Sequence, residues 1–205
     1  MKEVEIEAKA FIEEDGYKTI FLNHPELKNH IYTQANYYID TPDEDLRKSP
    51  LSMRVRTKSN NFQELTIKED LKEGKLEINQ PMSSEELVLF LEKGIIPEGE
   101  VLSYIRNKYT SISIKDLKVF TKLITDRCDI KVSNGLLSID KNEFSGITDF
   151  EVECESDSME HAKVILFTFL EKEKVPYIEN HKSKLYRARQ AFISQNGRNN
   201  PHSNS

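Results

Sequence analysis

The sequence predicts an α+β fold of about eight antiparallel strands, in groups of five and three, with helices between and after the two groups. Three observations support this prediction. Charged and apolar residues alternate with period two in several segments, as side chains do along a half-buried strand. Short turns separate neighbouring segments, which makes the strands antiparallel. Apolar residues at helical spacing follow each group of strands.

The first predicted strand covers residues 2–11 and shows the alternation most clearly. Glu5, Glu7 and Lys9 share one face of it, and apolar residues fill the other face. Side chains on one face of a strand repeat about every 7 Å, so these charges form a row. A helix is predicted to follow over residues 13–23.

The rest of the N-terminal half contains four more predicted strands and two predicted helices. The strands are expected at residues 30–41, 51–58, 62–69 and 74–80. A capping box of Ser83 and Glu86 begins the first helix, which ends at Gly94. The second helix is predicted over residues 98–107.

The C-terminal half contains three predicted strands and two predicted helices. The strands are expected at residues 117–132, 135–142 and 148–155. One helix begins at the cluster of Ser and Asp over residues 156–158 and stops before Pro176, and a last helix begins near Ser183. We predict a single domain over residues 1–194 and a disordered polar tail over residues 195–205.

Composition limits the classes of function. The net charge of −6 argues against general binding to nucleic acid or to a membrane surface. The N-terminus has no apolar signal segment and no apolar run is long enough to cross a membrane, so a soluble cytoplasmic protein is expected. Cys128 and Cys154 are expected to be buried free thiols. A phosphate-binding P-loop motif and zinc-type histidine spacing are both absent.

The charged residues are segregated by sign along the chain. Acidic pairs lie in the first and last predicted strands, and basic residues dominate between them. Carboxylate clusters suit hard divalent cations such as Mg²⁺ or Mn²⁺, and arginine forks suit phosphate oxygens. The pattern therefore indicates a site for a metal and a polyphosphate. Periodicity alone leaves two arrangements open: a closed tunnel with a charged interior, or an open sheet whose charges face solvent.

Several motifs resemble those of one family in the same order. Residues 5–9 match the signature Glu-x-Glu-x-Lys of the CYTH superfamily, also called triphosphate tunnel metalloenzymes. Further matches occur at residues 34–41, 51–56, 64–68 and 151–153, and Arg127 precedes a hairpin that contains glycine. The chain is similar to the compact bacterial branch of this superfamily over about residues 2–190.

The resemblance implies an eight-stranded antiparallel tunnel and assigns roles to its charged residues. The residues expected to bind or orient a divalent metal, Mg²⁺ or Mn²⁺, are Glu5, Glu7, Asp140, Glu151 and Glu153. Those expected to bind the phosphates are Lys9, Arg54, Arg56, Lys68, Arg127 and Lys182. The residues assigned to catalysis are Glu5, Glu7 and Lys9. Lys184 is an alternative to Lys182. Lys122 and Arg127 are an odd number of residues apart, so a regular strand cannot place both on one face. The position of Arg127 before the Gly135 hairpin matches the family better and favours it over Lys122.

The activity that the resemblance implies is metal-dependent hydrolysis of a small triphosphate, with water as the nucleophile. Inorganic triphosphate is the first expected substrate and thiamine triphosphate the second. A class IV type adenylate cyclase and a polyphosphate- or nucleotide-binding protein without turnover are the alternatives. The expected partner is the small triphosphate alone, without nucleic acid or membrane, and the chain is expected to be a monomer or a homodimer.

Overall fold

The computed structural model describes residues 2–198 and shows an α+β fold of antiparallel strands and helices. Within these residues it has ten strands: β1 (Lys2–Glu5), β2 (Glu7–Ile12), β3 (Tyr32–Asp40), β4 (Leu51–Lys58), β5 (Gln63–Asp70), β6 (Lys75–Pro81), β7 (Lys118–Val132), β8 (Gly135–Phe144), β9 (Ile147–Ser156) and β10 (Ile178–Glu179). The α-helices of the same part of the chain are α1 (Glu14–Asn23), α2 (Asp45–Lys48), α3 (Ser84–Lys93), α4 (Glu100–Lys108), α5 (Met159–Glu173) and α6 (Lys184–Arg198).

The chain divides into two compact units, each with its own set of antiparallel strands and its own apolar core. Unit 1 comprises the described part of Met1–Ile6 together with Gln34–Phe120. Unit 2 comprises Glu7–Thr33 and the described part of Thr121–Ser205.

Unit 1 contains an antiparallel sheet with strand order β1-β6-β5-β4-β3. Its apolar face is covered by helices, because Phe90 of α3 and Leu102 of α4 belong to the same buried cluster as Val55 and Leu65 of the sheet. Alternation places the charged residues on the opposite face, which we call the polar face of unit 1.

Gly74 makes the turn between β5 and β6 at a φ of +75°, a conformation that favours glycine. A Cβ atom there would lie 2.6 Å from the backbone oxygen of Glu5. The missing side chain therefore lets the turn lie directly against β1, which carries Glu5.

Unit 2 contains five antiparallel strands in the order β7-β8-β9-β2-β10. Helices α1 and α5 cover its apolar face, where Phe21 and Leu166 belong to the same buried cluster as Ile139 and Val152 of the sheet. Cys128 and Cys154 lie in this cluster, buried and without a disulfide, as expected. The charged residues occupy the opposite face, which we call the polar face of unit 2.

The strand count corrects the expectation of eight strands. The predicted first strand, residues 2–11, is interrupted at Ile6 and becomes β1 and β2, which pair with β6 and β9, respectively. The two-residue strand β10 was not predicted, since it is too short to show an alternation. Closure of the strands into a tunnel stays a prediction.

The C-terminus also differs from the expectation at residue 195. Helix α6 continues to Arg198, so the first four residues of the predicted tail are helical. The other residues of that tail, 199–205, lie outside the described residues. None of the helices in the described part of the chain is long and apolar enough to cross a membrane.

Candidate active site

Three carboxylates converge on the polar face of unit 2. Asp140 of β8 lies directly opposite Glu151 of β9, and Glu153 follows on the same face of β9. One oxygen from each of the three lies within 4.8 Å of the others. Asp140 and Glu151 are fully buried. We call these residues the carboxylate triad.

Lys184, the first residue of helix α6, places its ammonium group among the three carboxylates. Its Nζ lies 2.9 Å from an oxygen of Asp140, 2.5 Å from one of Glu151 and 2.7 Å from one of Glu153. The preceding residue, Ser183, caps the helix by accepting a hydrogen bond from the backbone N–H of Tyr186. The start of α6 therefore positions this lysine.

Arg127 of β7 bridges two members of the carboxylate triad. Its Nε and Nη2 donate hydrogen bonds of 2.8 and 2.6 Å to the two oxygens of Asp140, a bidentate pair. Its Nη2 also donates to Glu153 over 2.7 Å. Arg127 and Asp140 are direct cross-strand partners, so the sheet register fixes this pair.

Glu151 receives further donors from its surroundings. The side-chain amides of Asn142 and Asn180 donate to its two oxygens over 2.9 and 2.8 Å. Arg187 of α6 donates to it over 3.0 Å and to Asp149 over 2.8 Å. All six oxygens of the carboxylate triad therefore accept hydrogen bonds or ion pairs from nitrogen donors.

The pKa values on this face reflect the dense pairing of charges. Burial alone would raise the pKa of Glu153, but Lys184 and Arg127 outweigh it and hold that pKa well below its ordinary range. Burial would likewise lower the pKa of Lys184, whereas the carboxylate triad raises it above its ordinary value. These groups are therefore fully charged at neutral pH.

Strand β2 adds Glu7 and Lys9 to the polar face of unit 2. Lys9 lies directly opposite Glu153, and its Nζ pairs with Glu7 over 3.2 Å. Burial would lower the pKa of Lys9, but Glu7 and Glu153 raise it. Lys9 is therefore a cation held between two carboxylates.

On the polar face of unit 1, Lys68 is the centre of a second group of charges. Its Nζ lies 2.5 Å from a carboxylate oxygen of Glu5 and also pairs with Glu77, its cross-strand partner. Arg56 donates from Nε to Asn36 over 2.9 Å.

Two buried polar groups on this face lack partners among the described residues. The Nε of Arg54 is one of them, and the side-chain amide of Gln34 contributes both its nitrogen and its oxygen. Gln34 lies two positions from Asn36 on β3, so it shares the face of Arg54 and Arg56. Buried polar groups normally have partners, so a ligand bound to this face would supply hydrogen bonds that these two groups lack without it.

Comparison with known proteins identifies the family. The CYTH domain model matches residues 3–187. The chain belongs to the CYTH family. A protein of Bacillus subtilis (strain 168) called YjbK, provisionally named a triphosphatase, is 26% identical to this chain. The match covers 91% of this chain and 94% of YjbK.

Solved CYTH-like structures share the fold. A Bacillus halodurans protein provisionally named an adenylate cyclase superposes with a TM-score of 0.82 at 32% identity, covering 91% of this chain and 97% of its own. The Hippeastrum protein HpAC1, provisionally named an adenylyl cyclase and reported to have a dominant triphosphatase activity, superposes with a TM-score of 0.70 at 20% identity. That likeness covers 91% of this chain and 95% of the other.

The structure brings together part of the residue set that the CYTH resemblance assigned. Asp140, Glu151, Glu153 and Arg127 lie in one group, and Lys9 and Glu7 lie beside it on β2. The remaining predicted residues except Lys182 lie in unit 1: Glu5, Arg54, Arg56 and Lys68. Their roles toward metal and phosphate stay predictions.

Between the two candidate lysines, Lys184 rather than Lys182 reaches the carboxylate triad. Lys182 is exposed, and its Nζ lies 5.4 Å from the centre of the Tyr186 ring. Lys182 precedes the helix cap and Lys184 follows it, which places only Lys184 of these two in contact with the triad. The expected role of Lys182 in binding phosphate stays a prediction. Sequence reasoning had kept Lys184 as the alternative.

Four other side chains of these two groups were missed: Glu77, Asn142, Asn180 and Arg187. A signal existed for two of them. Asn142 follows Asp140 by two positions on a strand, and Arg187 follows Lys184 by three positions on a helix, so both spacings predict a shared face. Asn180 lies in an irregular segment without periodicity, and nothing in the sequence marks it.

The chemistry of the carboxylate triad fits the divalent metal of the CYTH resemblance in donor type. Its carboxylate oxygens are the hard ligands that Mg²⁺ and Mn²⁺ prefer. The residues that would hold the ion are Asp140, Glu151 and Glu153. Their oxygens already accept nitrogen donors, so an ion would take the place of one of those donors.

Proposed function

We propose that this CYTH protein hydrolyses a small triphosphate with the help of Mg²⁺ or Mn²⁺, inorganic triphosphate first and thiamine triphosphate second. The observation that carries the proposal is the buried carboxylate triad, surrounded by basic side chains on one polar face. Burying charged groups costs free energy, so an apolar core normally excludes them. A buried cluster of charges is therefore a candidate functional site. The name of the B. subtilis relative supports the same reaction class.

The proposed reaction depends on charge placement. When bound, the metal would supply positive charge to phosphate oxygens and would lower the pKa of a water. Lys9 and Arg127 would hold phosphate oxygens on unit 2, and Glu7 would orient the attacking water and accept its proton. Phosphoryl transfer requires positioning and charge stabilisation, which are what these residues provide.

The polar face of unit 1 contributes phosphate-binding groups to the proposal. Arg54 and Arg56 offer planar forks that match phosphate oxygens, and Lys68 adds a point charge. Glu5 would serve the metal, as the CYTH resemblance implies. The buried and unpartnered Nε of Arg54 supports a ligand on this face. Closure of the strands into a tunnel, which the CYTH resemblance implies, is part of this proposal.

Cyclisation of ATP is the second candidate. It is favoured by one observation, the 32% identity to the B. halodurans protein that is provisionally named an adenylate cyclase. Hydrolysis ranks first because no motif in the sequence is typical of purine recognition and because the B. subtilis relative is named a triphosphatase.

The test is a product assay on the purified chain. Inorganic triphosphate, thiamine triphosphate and ATP are each incubated with Mg²⁺, with Mn²⁺ or with EDTA, and phosphate, pyrophosphate and cyclic AMP are measured. Metal-dependent phosphate release supports hydrolysis, and pyrophosphate with cyclic AMP supports cyclisation. Binding of triphosphate without any product would contradict the proposal and favour a receptor.

Glu7→Gln removes one carboxylate while keeping the size of the side chain. We expect kcat for triphosphate to fall at least tenfold, because Gln neither attracts a metal nor accepts a proton. Glu14→Gln is the control, since Glu14 is an exposed residue of α1 that pairs only with Lys18 in the described contacts. Unchanged metal-dependent turnover in Glu7→Gln would remove Glu7 from the mechanism.

A further inference from the structure

The ammonium of Lys184 occupies the point where the carboxylate triad converges. Its Nζ lies between 2.5 and 2.9 Å from one oxygen of each of the three carboxylates. A divalent metal bound by the same three oxygens would need nearly the same position, because its bonds to oxygen are about 2.0–2.2 Å long. The ammonium and the ion therefore exclude each other sterically.

Charge leads to the same conclusion. The three carboxylates carry three negative charges, and Lys184 and Arg127 return two positive ones. Arg187, which also contacts Glu151, pairs with Asp149, so these two residues together add no net charge. The side chain of Lys184 is only 12% exposed, so solvent screens these charges weakly. A divalent cation added beside both basic groups would make this buried group net positive. Movement of one basic side chain out of the group would return its net charge to zero.

Lys184 is the cation that can leave. Arg127 is fixed by two parallel hydrogen bonds to Asp140 and a third bond to Glu153. Lys184 is held only through its Nζ, a point charge at the end of a flexible chain of four methylene groups. Its backbone stands at the first position of α6, so a change of side-chain rotamer would leave the helical backbone hydrogen bonds in place.

We propose that the Lys184 ammonium is a built-in counter-ion of the carboxylate triad that competes with a divalent metal, so that metal binding expels it. This inference deepens the proposed function, since it concerns how the same acidic group takes its metal. It assigns Lys184 a role in setting metal affinity.

The first test measures Mn²⁺ affinity by electron paramagnetic resonance of the free ion, without any phosphate substrate. Lys184→Met removes the ammonium and keeps the apolar stem, and we expect it to bind Mn²⁺ at least tenfold more tightly than wild type. Lys184→Arg keeps a positive charge beside the carboxylate triad, so its Mn²⁺ affinity is expected to stay within about threefold of the wild-type affinity. Lys163→Met, which changes an exposed lysine of α5 to the same residue, is the matched control and should leave Mn²⁺ affinity unchanged.

The second test uses the wild-type chain and so does not depend on a variant that folds. Lysines are methylated with formaldehyde and a mild borane reductant, with and without saturating Mn²⁺, and the peptides are quantified by mass spectrometry. We expect Mn²⁺ to speed methylation of Lys184 several-fold and to leave Lys182 unchanged. An unchanged rate at Lys184, or a Mn²⁺ affinity in Lys184→Met no tighter than in wild type, would overturn the inference.

The outcomes separate this inference from the proposed function. Triphosphate hydrolysis with unaltered Mn²⁺ affinity in Lys184→Met would remove the competition and leave the reaction standing. Tighter Mn²⁺ binding in a chain that hydrolyses none of the substrates would do the reverse.

Discussion

Asp140 is the member of the carboxylate triad that Arg127 binds through two parallel hydrogen bonds. It is fully buried and accepts two hydrogen bonds from Arg127 and an ion pair from Lys184. Asp140→Asn would leave two buried cations short of a counter-charge, so we expect it to lower the free energy of unfolding by about 3–5 kcal/mol. Urea denaturation of the metal-free protein measures this change.

An exposed pair supplies the comparison for Asp140. Arg106 and Glu98 form a bidentate pair on the surface, where solvent screens the charges. Glu98→Gln should therefore lower the free energy of unfolding far less than Asp140→Asn does. Similar losses in the two variants would show that the buried group of charges adds no special stability.

Replacing Gln34 is predicted to have the opposite effect, an increase in the free energy of unfolding. Its amide is buried and neither of its polar atoms has a partner among the described residues. Each buried group without a hydrogen bond costs roughly 1–3 kcal/mol. Gln34→Met keeps the length of the side chain, and we expect it to raise the free energy of unfolding by about 1 kcal/mol or more. A lower melting temperature in this variant would mean that the amide has a partner such as bound water.

At the scale of elements, helices α1 and α5 are joined at their C-terminal ends. Glu173 in the last turn of α5 is nearly completely buried, and it accepts hydrogen bonds from Asn23 over 2.9 Å and from His24 over 2.8 Å. The hydrogen bond to Glu173 raises the pKa of His24 above its ordinary value. The protonated ring therefore binds the folded state more strongly than the neutral ring does.

This pair predicts a pH dependence of stability. A raised pKa in the folded state contributes stability that is complete below the unfolded pKa of about 6.5 and is lost as pH rises through the folded pKa. His24→Gln should remove that decline, which we expect to be under about 1 kcal/mol because the ring is partly exposed. Melting temperatures from pH 5 to 9 test it. A wild-type slope that persists in His24→Gln would assign the decline to another group.

Most elements could be predicted from the sequence because period-two alternation and capping residues are local signals. The capping box of Ser83 and Glu86 is present as predicted, and so is the αL glycine Gly94 that ends helix α3. Helix α2 was missed because it has only four residues and follows Glu44, whose φ of +59° no sequence pattern marks.

The site was predictable only where strands carry it. The position before the hairpin selected Arg127, and the registers of β7 with β8 and of β8 with β9 place it against Asp140 and Glu153. The sequence left Lys182 and Lys184 open, because contact with the carboxylate triad depends on which residue follows the helix cap. Pairing between distant residues, such as Lys68 with Glu77, requires the register of two strands and cannot be derived from either strand alone.

At the scale of the whole molecule, each unit has a separate apolar core. Leu65 of β5 is fully buried in unit 1, and Leu166 of α5 is 1% exposed in unit 2. Replacing either by Ala should cost about 2–5 kcal/mol, from lost burial and the cavity left behind. Leu22→Ala is the matched control, because Leu22 is 73% exposed, and it should change stability by less than about 0.5 kcal/mol.

Thermal and urea denaturation of these three variants measure the contribution of each core. A core variant that unfolds like the Leu22 control would show that its unit does not take part in the measured transition. Losses in both core variants would show that both units do.

The ion pairs of Lys184 have a consequence for how the chain matures. Zinc fingers cannot fold until their metal arrives, since their ligands have no other cation to balance them. Here the counter-charge is encoded in the polypeptide itself. Newly synthesised chains should therefore reach their native state during magnesium starvation or in the presence of a chelator.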